Sequence, residues 1–244
     1  GLRLLQDCLP SGCRLSQCCQ KAPQYPDFFA TCPWDVPLVD VFEAIEWHAE
    51  ARGVPDRATY YVDVLSRRRD VETTHVSKVL DEVSTGLLVI LSRGVTANWK
   101  EGKVSLWSVY EMFLASQRRL GWDFSCSTGA LATSCPFASG VWVHGDFDFE
   151  TARNLVSFNI HPEALHCTCP EDKTMIIEQL RSCPGGIAGF ERHLNTVVPL
   201  CALGPALGHA SYLDDADSPA VLQQLAEVAA NLRCEGLHIP ISKL

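Results

Sequence analysis

In the stretch Ser105-Leu106-Trp107-Ser108-Val109-Tyr110-Glu111-Met112-Phe113-Leu114-Ala115 a single carboxylate stands among apolar neighbours. At helical spacing Glu111 shares a stripe with Trp107 and Leu114, and apolar residues lie on nearly every other side as well. The spacing therefore predicts a helix that is buried rather than amphipathic, with its one acid inside or beside the core. A carboxylate buried without a partner costs several kcal/mol or takes up a proton, so the position calls for a partner or a purpose, and perturbed acids of this kind collect at functional sites. A plainer account exists: Ser108-x-x-Glu111 is also a capping-box pattern, in which Glu111 would tie back to a backbone N–H in the first turn.

The remaining reactive residue types form weaker patterns. Cys167-Thr168-Cys169, with His161, His166 and Cys183 nearby, could be drawn as a zinc site, but it lacks the paired cysteine knuckles of structural zinc. Cys8, Cys13, Cys18 and Cys19 read as incidental thiols of a leader segment rather than as metal ligands or acylation sites. His48 and His75 fall in helical patterns and read as packed or surface histidines. Asp63 ends a strand-like run, where open parallel sheets place their sites, and serves equally well as a loop anchor. No G-x-S-x-G elbow, phosphate-binding G-x-x-x-x-G-K-[ST] loop or G-x-G-x-x-G turn is present, which removes the usual marks of serine hydrolases, P-loop enzymes and dinucleotide-binding Rossmann domains.

The elements that must position Glu111 alternate in type. Leu38, Val41, Phe42, Ile45 and Ala49 recur at helical spacing until Gly53-Val54-Pro55 stops them. Thr59 to Val64 reads as a strand and Val71 to Val83 as a helix; Gly86 to Leu91 is the continuously apolar run of a central parallel strand. The helix of Glu111 covers about Val104 to Leu120. Gly121 to Ser139, rich in Ser, Thr, Gly and Cys, carries no strand in this reading, and Val141-Trp142-Val143-His144 is the next strand. Phe149 to Phe158 is helical, a weaker strand lies near Asn159, Pro170-Glu171-Asp172 opens a helix, and Gly185-Gly186 precedes a last one near Phe190 to Val198. This alternation predicts an α/β fold, a flavodoxin-like three-layer sandwich with a short sheet of parallel strands near Phe28, Thr59, Gly86 and Val141 and the weaker one near Asn159. Residues 1–26 form a loosely ordered Cys- and Pro-containing extension, 27–203 the α/β domain, and 204–244 a linker with a C-terminal helix from about Pro219 to Leu232 and a tail.

The chain has 244 residues, 47% of them hydrophobic and 20% charged, with a net charge of −9. Acidic balance disfavours an unspecific grip on nucleic acid or anionic lipid, and Arg67-Arg68-Arg69 is too short to reverse it. No run approaches the roughly 20 apolar residues of a membrane-spanning helix. The 12 cysteines are expected to be mainly reduced, because the core pattern is ample for a chain of this length.

Asp63, the run Leu87-Leu88-Val89-Ile90-Leu91-Ser92-Arg93-Gly94, and Trp107-Ser108-Val109-Tyr110-Glu111 resemble successive landmarks of Toll/interleukin-1 receptor (TIR) domains, over roughly Phe28 to Leu200. In those families a strand ending in Ser is followed, after a loop, by a helix opening Trp-Cys-x-x-Glu. Pro170-Glu171-Asp172 and Gly185-Gly186 bring the resemblance closer to TIR-like domains of algae and protists. The resemblance implies cleavage of NAD at its nicotinamide–ribose bond, with Glu111 as the catalytic residue and Trp34, Asp35, Asp63, Ser92 and Trp107 as substrate-binding residues. A fixed carboxylate suits that chemistry, since departure of nicotinamide leaves an oxocarbenium-like ribose. It implies no metal and no cofactor beyond NAD as substrate, and self-association or other TIR domains as partners. Two departures stand out: Ser108 replaces the Cys of the motif, and Ala30-Thr31-Cys32-Pro33-Trp34 replaces a Ser-His-Ser-Trp-like run, with Pro33 removing a backbone donor. They keep open the alternative of a non-enzymatic TIR-like interaction module. The expected location is intracellular, in the cytoplasm, or the peroxisome if Ser242-Lys243-Leu244 is the native C-terminus.

Overall fold

A computed structural model of the chain describes residues 25–33, 36–54, 58–62, 74–91, 105–133, 141–145, 155, 159–210, 223, 226–227 and 230. Its elements are β1 (Phe28–Thr31), α1 (Leu38–Arg52), β2 (Tyr60–Val62), α2 (Thr74–Glu82), β3 (Gly86–Ile90), α3 (Leu106–Gln117), β4 (Gly121–Cys126), β5 (Gly129–Thr133), β6 (Val141–Gly145), a 3₁₀ turn at Pro162–Ala164, α4 (Pro170–Ser182) and α5 (Gly186–Ala210). They build one mixed sheet in the order β2-β1-β3-β4-β5-β6, parallel from β2 to β4 and antiparallel from β4 to β6. The protein is an α/β fold with helices on both faces of the sheet.

The apolar run of β3 explains its central place. All five of its residues are buried, and they alternate between two cores: Leu88 and Ile90 join Ala30, Val62, Val41 and Ala44 under α1, while Leu87 and Val89 join Phe29, Phe124 and the residues of α2, α3, α4 and α5. Gly86 begins the strand because a Cβ there would stand 2.9 Å from the Gly121 carbonyl oxygen on β4. Gly53 ends α1 at φ 58°, the left-handed conformation of a Schellman turn, with its own N–H on the Glu50 carbonyl and that of Val54 on the Ala49 carbonyl.

Three expectations are corrected. Gly121 to Ser139 contains two strands, β4 and β5, so the Val141 strand is bonded to an antiparallel neighbour rather than a parallel one. In β4, Trp122 and Phe124 face the α3 side, while Asp123 and Ser125 are buried against α1 and hydrogen-bonded to it. That polar half of the alternation made the segment look like a loop. Among the described residues Asn159 and Ile160 belong to no strand, and Asn195 of α5 holds them: the Ile160 N–H donates to Asn195 Oδ1 at 2.9 Å, and Asn195 Nδ2 donates to Asn159 Oδ1 and the Ile160 carbonyl. The last helix of the domain is also longer than its spacing predicts, reaching from Gly186 to Ala210. The expected helix over Phe149 to Phe158 lies outside the described residues except for Leu155, which is buried in the core. Residues 1–24 lie outside them as well.

Candidate functional site

Helix α3 is buried throughout its first ten residues, Leu106 to Ala115, as its sequence predicts. Its start is fixed from outside: Leu106 N–H donates to the His166 carbonyl at 2.8 Å, and Ser105 and His166 form a parallel bridge. Ser105, with extended backbone, is the N-cap, which puts Ser108 in the third helical position and Glu111 in the second turn. The capping-box account of Glu111 therefore fails by one turn, since Ser108 caps nothing. Glu111 is 3% exposed. A helix terminus does not account for its burial.

Side-chain contacts hold α3 to the helices beside it. Trp107, 6% exposed, donates its indole N–H to Asp172 Oδ2 at 3.0 Å and meets the Tyr110 ring edge-on. Tyr110 donates its hydroxyl to Gln179 of α4, and burial pushes its phenol above the ordinary value. Ser116 Oγ lies 2.6 Å from His193 Nε2 of α5, and burial pushes that imidazole below its ordinary pKa. Phe113 packs edge-on against Phe190 at 4.9 Å between centroids. Trp107, expected at a substrate pocket, thus sits where α3 meets α4, with its N–H engaged by Asp172.

Topology sets the neighbourhood of Glu111. The chain leaves β1 for α1 on one face and β3 for α3 on the other, so its connections diverge between these adjacent strands. Such a switch point, at the carboxyl ends of parallel strands, is where open α/β sheets bind ligands. Trp34 and Asp35 follow β1 in the chain, Asp63 follows β2 and Ser92 follows Leu91; all four lie outside the described residues. Of the residues that the sequence analysis assigned to the site, Glu111 and Trp107 share one buried helix. On the same side of the sheet, Thr31 at the end of β1 is fully buried, and its hydroxyl has no hydrogen-bond partner among the described residues.

No family model, curated protein or solved structure matches this chain. The likeness to TIR-like domains rests on the quoted residues themselves.

A second polar cluster, which the sequence analysis missed, lies under α1. Asp123 accepts from Arg52 through two bonds, Nε to Oδ2 at 2.7 Å and Nη2 to Oδ1 at 2.6 Å, and its Oδ2 also meets His48 Nε2 at 2.9 Å. The other ring nitrogen, His48 Nδ1, lies 2.8 Å from the Tyr60 hydroxyl. The imidazole thus bridges the two, with Nε2 on the Asp123 carboxyl and Nδ1 on the Tyr60 hydroxyl. Burial, with Asp123 and Asp27 nearby, pushes the Tyr60 phenol well above its ordinary pKa, which keeps it a donor. The signal in the sequence was faint but present: His48 and Arg52 continue the buried stripe of Val41 and Ala44 at helical spacing. Tyr60 opens β2 and Phe28, which packs edge-on against His48, opens β1, so the cluster lies toward the amino end of the parallel strands.

Five described cysteines, Cys32, Cys126, Cys167, Cys169 and Cys183, carry free thiols. Among the described residues no three His, Cys, Asp or Glu side chains converge as metal ligands, the Cys167–Cys169 segment included. Cys169 instead donates its thiol to Glu171 at 2.9 Å. Among the described residues no helix is long and apolar enough to cross a membrane.

Proposed function

We propose that this chain is a TIR-like domain that binds NAD at the switch point of its sheet and cleaves the nicotinamide–ribose bond, with Glu111 as the catalytic carboxylate. The parallel half of the sheet, in the order β2-β1-β3-β4, supports the flavodoxin-like reading that the resemblance implies. The observation that carries the reading is the burial of Glu111, 3% exposed, in the second turn of the helix that follows β3. Its place in the second turn, with Ser105 as the N-cap, removes the capping role. In the reaction Glu111 accepts hydrogen bonds from ribose hydroxyls and stabilises the positive charge that develops as the glycosidic bond breaks, after which water adds to the anomeric carbon. Trp34, Asp35, Asp63 and Ser92 line the pocket in this reading, and Trp107 holds the helix of Glu111 against α4. The role is intracellular signalling or defence, in the cytoplasm, with peroxisomal import if Ser242-Lys243-Leu244 ends the native protein.

Purified chain incubated with NAD releases nicotinamide, and Glu111→Ala lowers the rate by at least about a hundredfold, on the scale of losing one electrostatic stabiliser. No release above the Glu111→Ala control at high protein concentration leaves the second reading, a TIR-like interaction module. Pro33, which lacks an N–H beside the presumed ligand, favours that second reading.

A further inference from the structure

Two fully buried hydroxyls in the parallel strands differ in their surroundings. Ser125 on β4 donates to the Ala44 carbonyl at 2.7 Å and also lies 3.1 Å from the Gly129 carbonyl. Thr31 on β1 is equally buried, yet Oγ1 has no hydrogen-bond partner among the described residues. Alternation along β1 places its side chain with Phe29, on the α2 and α3 side, and away from Ala30, which packs under α1. Packing does not explain the hydroxyl. Valine has nearly the same shape, suits a strand at least as well and leaves no donor or acceptor to satisfy.

Register relates Thr31 to Glu111. Thr31 pairs with Val89 of β3. Helix α3 runs back along β3 and ends at Gln117, just before Gly121, which pairs with Gly86 at the start of β3. The helix from Gln117 back to Glu111 rises about 9 Å, equal to about three residues of strand. On these rises Glu111 comes about level with Val89, the partner of Thr31, and its helix packs on the same side of the sheet.

We propose that Thr31 Oγ1 and Glu111 together hold the sugar of a bound ligand through a vicinal diol such as the ribose of a nucleotide. A carboxylate accepts from two adjacent hydroxyls, and the threonine hydroxyl can donate to one of their oxygens. This proposal rests on the same switch-point site as the NAD reading and deepens it, but its readout is binding rather than turnover.

The test uses the full chain, ADP-ribose as probe, calorimetric titration for affinity and thermal unfolding for stability. Thr31→Val melts at or above the wild-type temperature and binds ADP-ribose at least tenfold more weakly, and Thr31→Ser, which returns a hydroxyl, recovers most of the affinity. A lower melting temperature or failure to fold in Thr31→Val overturns the proposal, because the hydroxyl is then satisfied within the fold. So does unchanged affinity in Thr31→Val, or wild-type protein that does not bind ADP-ribose. Thr31-dependent binding of ADP-ribose without nicotinamide release sustains the ribose site while removing the NAD-cleaving reading.

Discussion

The two faces of the sheet bury polar groups in different ways. Under α1, Tyr60, His48, Asp123 and Arg52 form a chain in which each group meets the next at 2.6–2.9 Å, linking β2, α1 and β4. Under α2 and α3, the fully buried Thr31 hydroxyl has no hydrogen-bond partner among the described residues. Internal pairing accounts for the first set without any ligand. A cluster can thus have the layout of an acid–base relay, as Tyr60–His48–Asp123 does, and still serve the fold. A buried hydroxyl with no internal partner among the described residues, such as that of Thr31, is the better pointer to chemistry.

The strongest way to break this contrast is to open the α1 cluster. Asp123 is the acceptor for both Arg52 and His48, and its side chain is 3% exposed. Asp123→Ala removes the acceptor that Arg52 and His48 share, and breaking a buried pair costs up to about 3–5 kcal/mol. Denaturant unfolding should show a loss of that size while the nicotinamide release proposed for Glu111 is kept. A loss below about 1 kcal/mol would mean that the cluster does not stabilise the fold. Abolished nicotinamide release in a variant that still folds would place the cluster in the chemistry.

The same contrast explains what the sequence could reveal. β1, β3, α1 and α3 were legible because their burial comes from apolar residues at strand or helix spacing. β4 was not, because Asp123 and Ser125 are polar in the sequence and buried in the fold, and their partners His48, Arg52 and Ala44 lie about 70–80 positions away. Glu111 stood out as an acid surrounded by apolar residues, whereas its capping role could not be decided until the helix start at Leu106 was known, since Ser105 and Ser108 are both plausible caps one turn apart. Thr31 gave no signal at all. A threonine in a strand is ordinary, and a missing partner exists only in three dimensions.

A smaller perturbation acts on the far end of the α1 cluster. Tyr60→Phe removes the hydroxyl paired with His48 Nδ1, leaving a buried ring nitrogen without that hydrogen bond at a cost of about 1–3 kcal/mol. The effect depends on pH. Because burial holds the folded phenol above its ordinary value of about 10, its contribution is fully present below that pH and is lost as the pH rises toward the folded pKa. The gap in stability between wild type and Tyr60→Phe should be constant from neutral pH to about 9 and narrow above about 10. Unfolding measured for both proteins across that range checks the sign, and a gap that widens with alkaline pH would show the phenol to be ionised in the fold.

The smallest expected effect lies at the turn between α3 and β4, where the helix of Glu111 ends. Arg119 has φ 59°, the one described non-glycine residue in the left-handed region, and it occupies the position that Gly53 fills at the end of α1. The hydrogen bonds match: Arg119 N–H donates to the Ser116 carbonyl at 2.9 Å and Leu120 N–H to the Ala115 carbonyl at 3.1 Å, as Gly53 and Val54 do to Glu50 and Ala49. Left-handed backbone costs an L-residue about 1–2 kcal/mol, and glycine avoids that strain while losing about 0.5–1 kcal/mol more in chain entropy on folding. Arg119→Gly should therefore stabilise the protein by about 0.5 kcal/mol. This residue touches neither the α1 cluster nor the Glu111 site, so nicotinamide release and ADP-ribose binding should be unchanged. Chemical unfolding that shows Arg119→Gly destabilised would mean that interactions of the arginine side chain outweigh its backbone strain.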